Sequence, residues 1–224
     1  MGFGISKITD GVYSVGNSIA TQNLAPGKSV YGEQLFKYGG KEYRFWDPSR
    51  SKVGAAIKKG MANMAFGSGS KILYLGAAEG TTISHMSDIV GADGVIFGVD
   101  ISARSMRKFI YLCEERPNIV PILADANSPM TYKEQLGGFT IDAIVQDVSQ
   151  KNQAEILMRN CHAYLKAGGF AYLSLKVRSI SSTDPVAVVV EEEAKKLEKE
   201  FEITEIINLE PYEKDHAMIV GKRK

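Results

Sequence analysis

The spacing of apolar residues changes near residue 50 of this 224-residue chain. Beyond that point, short apolar runs alternate with longer segments in which apolar residues recur every three or four positions. The short runs are typical of buried strands, and the longer segments are typical of amphipathic helices. The predicted strands are 71–75, 95–99, 119–123, 141–145, 170–175, 202–209 and 217–220. This alternation predicts a largely parallel sheet that is covered by helices on both faces.

Four helices are predicted from the segments between these strands. The first follows Gly76, the second begins at Ser102, which can cap it, and the last covers residues 186–199. The third carries an apolar stripe that includes Leu165, and it is expected to end before Gly168.

The two ends of the chain are predicted to be antiparallel. A short polar turn at residues 211–215 joins the last two strands, and so short a link implies an antiparallel pair. Near the N-terminus, alternating runs at 11–15 and 42–46 are separated by turn residues such as Gly39 and Gly40, which indicates β-hairpins.

Two domains are therefore predicted. Residues 1–50 should form a small β-rich domain, and residues 51–224 should form an α/β domain. The larger domain is expected to contain a seven-stranded, mostly parallel sheet with an antiparallel last strand.

The predicted parallel strands end in chemically active residues. Ligands bind at the carboxyl ends of such strands, near the point where the strand order reverses. The residues at the five strand ends are Gly76, Asp100, Asp125, Asp147 and Lys176. All of them except Gly76 carry an ionisable side chain.

The glycine-rich loop at residues 75–82 is suited to a ligand that approaches the backbone closely. It lacks both the Gly-Lys-Ser/Thr of a Walker A loop and the spacing of a nicotinamide-binding loop. Asp100 can accept hydrogen bonds from the hydroxyls of a ribose, and Asp125 with Ala126 is suited to an adenine amine. This order fits S-adenosyl-L-methionine. The alternative is that the two aspartates only cap the helices that follow them.

Four further residues are candidates for catalysis: Lys52, Asp147, Lys176 and His216. Asp147 and Lys176 end neighbouring predicted strands, so they could approach each other above the sheet. Taken singly, each lysine could equally be a solvated side chain, and His216 a surface histidine. The hypothesis of a catalytic site depends on their convergence.

Charge and cysteine usage limit the possible partners. The net charge is +1, with +5 over residues 1–60 and −4 over the remainder. Such a chain has no overall field that would attract nucleic acid or an anionic membrane. No run of about 18 apolar residues is present, so no membrane-spanning helix is predicted. Cys113 and Cys161 lack metal-ligand spacing, which predicts reduced thiols in an intracellular protein and no metal site.

Several segments resemble the fibrillarin family of 2′-O-methyltransferases, from about residue 30 to the C-terminus. The helix at 81–91, rich in serine with one histidine, and the segment Arg50-Ser51-Lys52 are specific to that family rather than to methyltransferases at large. The resembling segments are residues 30–33, 42–44, 46–52, 73–91 and 210–217.

The resemblance implies a Rossmann-like, class I S-adenosyl-L-methionine-dependent methyltransferase. It implies a catalytic set of Lys52, Asp147, Lys176 and His216. The implied cofactor-binding residues, together with the glycine loop, are Gly76, Ala77, Thr81, Thr82, Asp100, Ile101, Asp125, Ala126, Asp147, Val148, Ser149 and Gln150. The chain departs from the family pattern at Asp100, where Glu is usual, at Asn127, where Arg is frequent, and at Gln146 and Ser149, where Ala is usual.

A physical account of the reaction agrees with this set. A ribose 2′-hydroxyl is a poor nucleophile at neutral pH, so it needs a cation beside its oxygen and a route for its proton. Lys176 is expected to supply that cation, and Asp147 is expected to orient Lys176. Lys52 and His216 would complete the hydrogen-bonded frame.

The resemblance also implies partners and a location. The partners are a Nop-domain scaffold protein, a ribosomal-type kink-turn-binding protein, a box C/D guide RNA and target rRNA or tRNA, with no role for DNA or a membrane. The long glycine- and arginine-rich tail of eukaryotic members does not appear here, which indicates the cytoplasm of an archaeal-type cell. The alternatives are a scaffold subunit that has lost catalysis, and a stand-alone RNA or protein-glutamine methyltransferase.

Overall fold

The N-terminal part of the chain forms a five-stranded antiparallel sheet. The computed structural model describes residues 4–224, so residues 1–3 of the predicted N-terminal domain lie outside the described part. The strand order is β1-β2-β3-β5-β4. The strands are β1 (Ile5–Thr9), β2 (Val12–Val15), β3 (Ser18–Gln22), β4 (Leu35–Tyr38) and β5 (Lys41–Trp46).

A second, seven-stranded sheet follows, in the order β11-β12-β10-β9-β6-β7-β8. Its neighbours from β10 to β8 are parallel, whereas β12 is antiparallel to both β10 and β11. The predicted α/β fold with an antiparallel last strand is thereby confirmed. The strands are β6 (Lys71–Leu75), β7 (Val95–Asp100), β8 (Ile119–Leu123), β9 (Ile141–Gln146), β10 (Leu165–Lys176), β11 (Phe201–Asn208) and β12 (His216–Arg223).

Helices cover both faces of the seven-stranded sheet. Because side chains alternate along a strand, Ile72 and Tyr74 face one apolar cluster and Leu73 and Leu75 face the other. Helices α1 to α3 pack in the first cluster, and α4 and α6 pack in the second. The helices are α1 (Lys52–Lys58), α2 (Thr81–Val90), α3 (Ala103–Glu115), α4 (Gln153–Tyr164), α5 (Val177–Ile180) and α6 (Val186–Leu197). None of the helices in the described residues is long and apolar enough to cross a membrane.

Strand β10 begins earlier than the sequence predicted. Leu165 pairs with Ile141 of β9, and regular pairing resumes only at Phe170 after an irregular stretch that contains Gly168 at φ +70°. The prediction that Leu165 belongs to the preceding helix was therefore wrong. Leu165 is buried in the strand as it would have been on the helix, so the apolar pattern could not distinguish the two.

The two sheets are joined by a shared core and by buried charges. Val12 and Trp46 of the N-terminal sheet lie in the same apolar cluster as Met86 of α2. Beside them, the fully buried Asp88 of α2 pairs with Arg44 of β5 at 3.0 Å and with Arg116 at 2.6 Å. The helix that resembles fibrillarin therefore anchors the N-terminal sheet.

The order of the strands creates a crevice at one edge of the larger sheet. The chain runs outward from β6 through β7 to β8 and then returns to the other side of β6 as β9. The loops that follow β6 and β9 therefore diverge, and ligands bind in such an opening.

Candidate functional site

Two adjoining hollows lie at the carboxyl ends of β6 to β9. The strand-end hollow, of about 350 Å³, extends between Asp100 and Asp147, and the Lys52 hollow, of about 310 Å³, lies between Lys52 and Thr82. Gly76, Ala78 and Asp147 line both. Every residue predicted to bind cofactor lines one or the other. They are Gly76, Ala77, Thr81, Thr82, Asp100, Ile101, Asp125, Ala126, Asp147, Val148, Ser149 and Gln150.

Gly76 allows the first loop to pass close to the end of β9. Its φ is +88°, and a Cβ atom there would lie 2.2 Å from the carbonyl oxygen of Asp147. A side chain at this position would therefore be strained and would displace the backbone of Asp147. The loop continues through Ala78, at φ 49°, to Gly80, which is the N-cap residue of α2.

Asp100 connects the glycine-rich loop to the start of α3. Its Oδ2 accepts a hydrogen bond from the N–H of Ala78 at 2.7 Å, and its Oδ1 accepts one from the N–H of Ser102 at 2.8 Å. Ser102, not Asp100, caps α3, because its hydroxyl accepts from the N–H of Ser105. Each carboxylate oxygen retains a further lone pair for a ligand.

Asn127 links Asp125 and Gln150 through hydrogen bonds. The Nδ2 of Asn127 donates to Gln150 Oε1 at 2.6 Å, and its N–H donates to Asp125 Oδ1 at 2.9 Å. Asn152 Nδ2 donates to Asn127 Oδ1 at 2.9 Å. Asn127 thus connects the loops after β8 and β9.

Three of the four predicted catalytic side chains lie along a row of ionisable groups that Glu213 completes. Lys52 Nζ lies 3.0 Å from Asp147 Oδ2 and 3.9 Å from Glu213 Oε1. The other oxygen of Glu213 lies 4.0 Å from His216 Nδ1, which is 2.7 Å from the carbonyl of Lys214. The side chains of Lys52, Asp147 and Glu213 are largely buried, so solvent screens their charges less than at an open surface.

Lys176 is held through its backbone. It is the last residue of β10 and lies directly opposite His216 of β12 in the antiparallel register, so the two side chains share a face. Within residues 4–224, Asp147 pairs with Lys52 and makes no ion pair with Lys176. We expected Asp147 to orient Lys176, but the ion pair of Asp147 is with Lys52. Asp147 and Lys176 nevertheless lie at the same edge of the sheet.

Ser51 connects the segment that carries Lys52 to the start of α2. Its hydroxyl accepts a hydrogen bond from the N–H of Gly54, which caps α1, and another from the hydroxyl of Thr82 at 3.0 Å. Burial raises the pKa of Tyr74, which lines the Lys52 hollow, and the charge of Asp147 adds to this effect. The Tyr74 phenol is thus neutral and can act there as a hydrogen-bonding group.

Sequence reasoning missed two residues of this site. Glu213 links Lys52 to His216, and the only signal for it was its position in the segment at 210–217 that resembles the family. Gln153, the first residue of α4, hydrogen-bonds the backbone of Lys176, and nothing in the apolar pattern distinguishes it.

Comparisons with known proteins give one consistent result. A family model described as Fibrillarin matches residues 5–224. The fibrillarin-like rRNA/tRNA 2′-O-methyltransferase of Thermococcus sibiricus is 49% identical over 95% of this chain and 96% of its own length. The Aeropyrum pernix fibrillarin with natively bound S-adenosyl-L-methionine matches with a TM-score of 0.87 at 40% identity, over 98% of this chain and 100% of that one. A fibrillarin from a fibrillarin/Nop5p complex matches with a TM-score of 0.89 at 39% identity and the same coverage.

Proposed function

Because the chain belongs to the fibrillarin family, we propose that it is an S-adenosyl-L-methionine-dependent methyltransferase that acts on ribose 2′-hydroxyls of rRNA and tRNA. The observation that carries this proposal is the meeting of the two hollows at Gly76 and Asp147. It supports a cofactor that extends from the strand-end hollow into the Lys52 hollow, beside the charged side chains.

The residues of the strand-end hollow fit this cofactor chemically. Asp100 offers carboxylate lone pairs that suit ribose hydroxyls, and Asp125 offers an acceptor that suits an adenine amine. Thr81 and Thr82 begin α2, whose free N–H groups and positive dipole end suit a carboxylate. S-adenosyl-L-methionine, when bound, supplies a methyl group that is already activated by the sulfonium.

Lys52 and Asp147, which line the Lys52 hollow, would prepare the ribose together with side chains at the same edge of the sheet. Lys176 would stabilise negative charge that develops on the 2′-oxygen. Lys52 would hold the carboxylates of Asp147 and Glu213 in place through its ion pairs with both. His216 lies beside the other oxygen of Glu213. The chain's main contribution is then the positioning of the 2′-oxygen in line with the methyl group, which can supply much of the rate.

The proposed substrate complex includes other macromolecules. The Nop5p complex of the similar fibrillarin supports a Nop-domain scaffold as the partner of this chain. We further propose a kink-turn-binding protein and a box C/D guide RNA, because a net charge of +1 is too small to hold an RNA duplex through phosphate contacts alone. Base pairing with the guide would then select the target.

The test is a methyl-transfer assay with labelled S-adenosyl-L-methionine. The protein is assayed alone and with scaffold, kink-turn protein and guide RNA, and transfer to one 2′-hydroxyl is expected only in the full assembly. Lys176→Ala should abolish transfer, whereas Lys199→Ala, which removes an exposed lysine after α6, should retain it. Binding of the scaffold without any transfer would instead favour a subunit that has lost catalysis.

Cofactor binding is tested separately by isothermal titration. Asp100→Ala should weaken binding of S-adenosyl-L-methionine by about tenfold, because each lost hydrogen bond is worth about 0.5–1.5 kcal/mol. Unchanged affinity in a folded variant would contradict the placement of the ribose at Asp100.

A further inference from the structure

Arg50 stands at the junction of three hollows beside the catalytic residues. It ends the short 3-10 turn Pro48–Arg50, two residues before Lys52, and its side chain is exposed. It lines the Lys52 hollow and also two outer hollows, one toward the N-terminal sheet and one toward α3. A group bound at Arg50 would therefore lie next to the reacting ribose.

The guanidinium of Arg50 rests on a fixed aromatic ring. It lies 5.5 Å from the centre of the Tyr31 ring, a cation–π distance. The hydroxyl of Tyr31 is in turn 2.8 Å from His85 Nε2 and accepts a hydrogen bond from the N–H of Asp47 at 3.2 Å. This support reduces the rotamer freedom that Arg50 would lose on binding a ligand.

The positive charge of Arg50 has no ion-pair partner among residues 4–224, although carboxylates line the same outer hollows. Each of those carboxylates is already engaged. Glu33 pairs with Arg44 at 2.6 Å and Glu79 with Lys108 at 2.6 Å. The remaining two are Glu115, paired with Lys28 at 3.2 Å, and Asp47, which accepts hydrogen bonds from Ser49.

We propose that Arg50 binds a backbone phosphate of the substrate RNA, adjacent to the ribose that is methylated. This inference rests on the proposed function. A guanidinium presents a planar fork of donors that matches a phosphate, and the phosphates on either side of a ribose are attached to that same sugar. Arg50 would thus set the register of the target nucleotide over Lys52 and Asp147, which line the same hollow.

The carboxylate of the cofactor is the competing ligand for Arg50. Tyr31, which supports the guanidinium, lines both outer hollows and is not part of the Lys52 hollow. This places the supported face of Arg50 on the rim, where RNA would pass. The helix start at Thr81 and Thr82 already provides donors for a carboxylate.

The experiment combines a protein variant with a modified RNA in the full ribonucleoprotein assembly. Single-turnover methylation is measured with target RNAs in which one phosphate flanking the target nucleotide is a neutral methylphosphonate. The variants are Arg50→Gln, Arg50→Lys and the control Lys199→Gln, and isothermal titration of S-adenosyl-L-methionine with each variant checks the cofactor site.

With unmodified RNA, Arg50→Gln is expected to slow methylation by about tenfold to a hundredfold, the effect of losing a hydrogen bond between charged groups. Arg50→Lys should lose less, and Lys199→Gln should match the wild type. One methylphosphonate should slow the wild type by a similar factor and should slow Arg50→Gln no further, because both changes remove the same contact.

Two results would overturn the inference while leaving the proposed function intact. One is a set of additive effects at every phosphate position. The other is weakened binding of S-adenosyl-L-methionine by Arg50→Gln, which would assign Arg50 to the cofactor carboxylate. Absence of methyl transfer by the wild-type assembly would instead reject the proposed function, and this inference with it.

Discussion

The side chain of Gln153 hydrogen-bonds both the backbone N–H and the backbone carbonyl of Lys176. Its Oε1 accepts a hydrogen bond from Lys176 N at 2.9 Å, and its Nε2 donates one to Lys176 O at 3.0 Å. The Gln153 side chain is fully buried, and Gln153 is the first residue of α4. The start of one helix therefore fixes the point where β10 ends and Lys176 emerges toward the site.

Gln153→Met is expected to reduce methyl transfer because it keeps most of the side-chain volume and removes both hydrogen bonds. We expect kcat to fall by about tenfold, while the affinity for S-adenosyl-L-methionine and the KM for RNA change little, since a positioning residue acts on the transition state. Steady-state kinetics and isothermal titration would measure these quantities.

Gln146→Met provides the matched control, because it makes the same exchange at another buried glutamine. Gln146 is also fully buried, and its Nε2 donates to the carbonyl of Gln153, but it makes no bond to Lys176. If both variants lost kcat equally, or if Gln153→Met changed only stability, Gln153 would have a structural role and no positioning role.

Gly76→Ala is predicted to damage the cofactor site through the backbone of Asp147. The added methyl group would need to occupy space 2.2 Å from the Asp147 carbonyl, in addition to the strain at φ +88°. Gly27→Ala is the control, because Gly27 has φ +83° and no atom of residues 4–224 lies within 4 Å of the added Cβ. The control should lose only about 1–2 kcal/mol of unfolding free energy.

Urea unfolding and cofactor titration should separate the two contributions. Gly76→Ala is expected to lose more stability than Gly27→Ala and to bind S-adenosyl-L-methionine weakly or not at all. Equal losses in the two variants, with normal cofactor binding in Gly76→Ala, would contradict the proposed close approach.

The sequence predicted the strand ends well because burial and chain order determine them. A buried strand reads as an apolar run, and its end is marked by the first polar or glycine residue, as at Gly76 and Asp100. The edge at which these residues meet follows from the parallel topology. The lining of the two hollows could therefore be anticipated without coordinates.

Partner choice among charged side chains could not be predicted in the same way. Asp147 has two lysines at the same sheet edge, and the structure pairs it with Lys52. The choice depends on side-chain reach and on the position of α1, which no periodicity encodes. Glu213 lies in a turn, where the pattern of apolar residues carries no information about direction.

Asp88→Asn is predicted to destabilise the protein by about 3–5 kcal/mol. Asp88 is the only carboxylate that pairs with the buried Arg116 among residues 4–224, so the change leaves a buried guanidinium uncompensated. Asp93→Asn, at an exposed position, should change stability by less than about 0.5 kcal/mol. Chemical unfolding that gave similar free energies for both variants would show that this network contributes little.

His85 is predicted to make the stability depend on pH. Burial lowers the pKa of His85 well below its ordinary value of 6.5, and the charges of Arg44 and Arg116 lower it further. The folded protein therefore keeps this ring neutral, between the hydroxyls of Thr21 and Tyr31 at 2.8 Å each. In the unfolded chain the ring binds a proton once the pH falls below about 6.5.

The sign of the effect follows from that difference in proton binding. The contribution of His85 to stability is present above the unfolded pKa and is lost as the pH falls, because the unfolded state then binds more protons. Between about pH 7.5 and about pH 5.5, His85 alone should remove about 1 kcal/mol from the free energy of unfolding.

Urea unfolding of the wild type and of His85→Gln across this range isolates the contribution, since all other titrating groups are common to both. His162→Gln, which changes an exposed histidine, serves as the control. The wild type should lose more stability than His85→Gln as the pH falls, and parallel pH profiles would contradict a buried neutral ring at the junction of the two sheets.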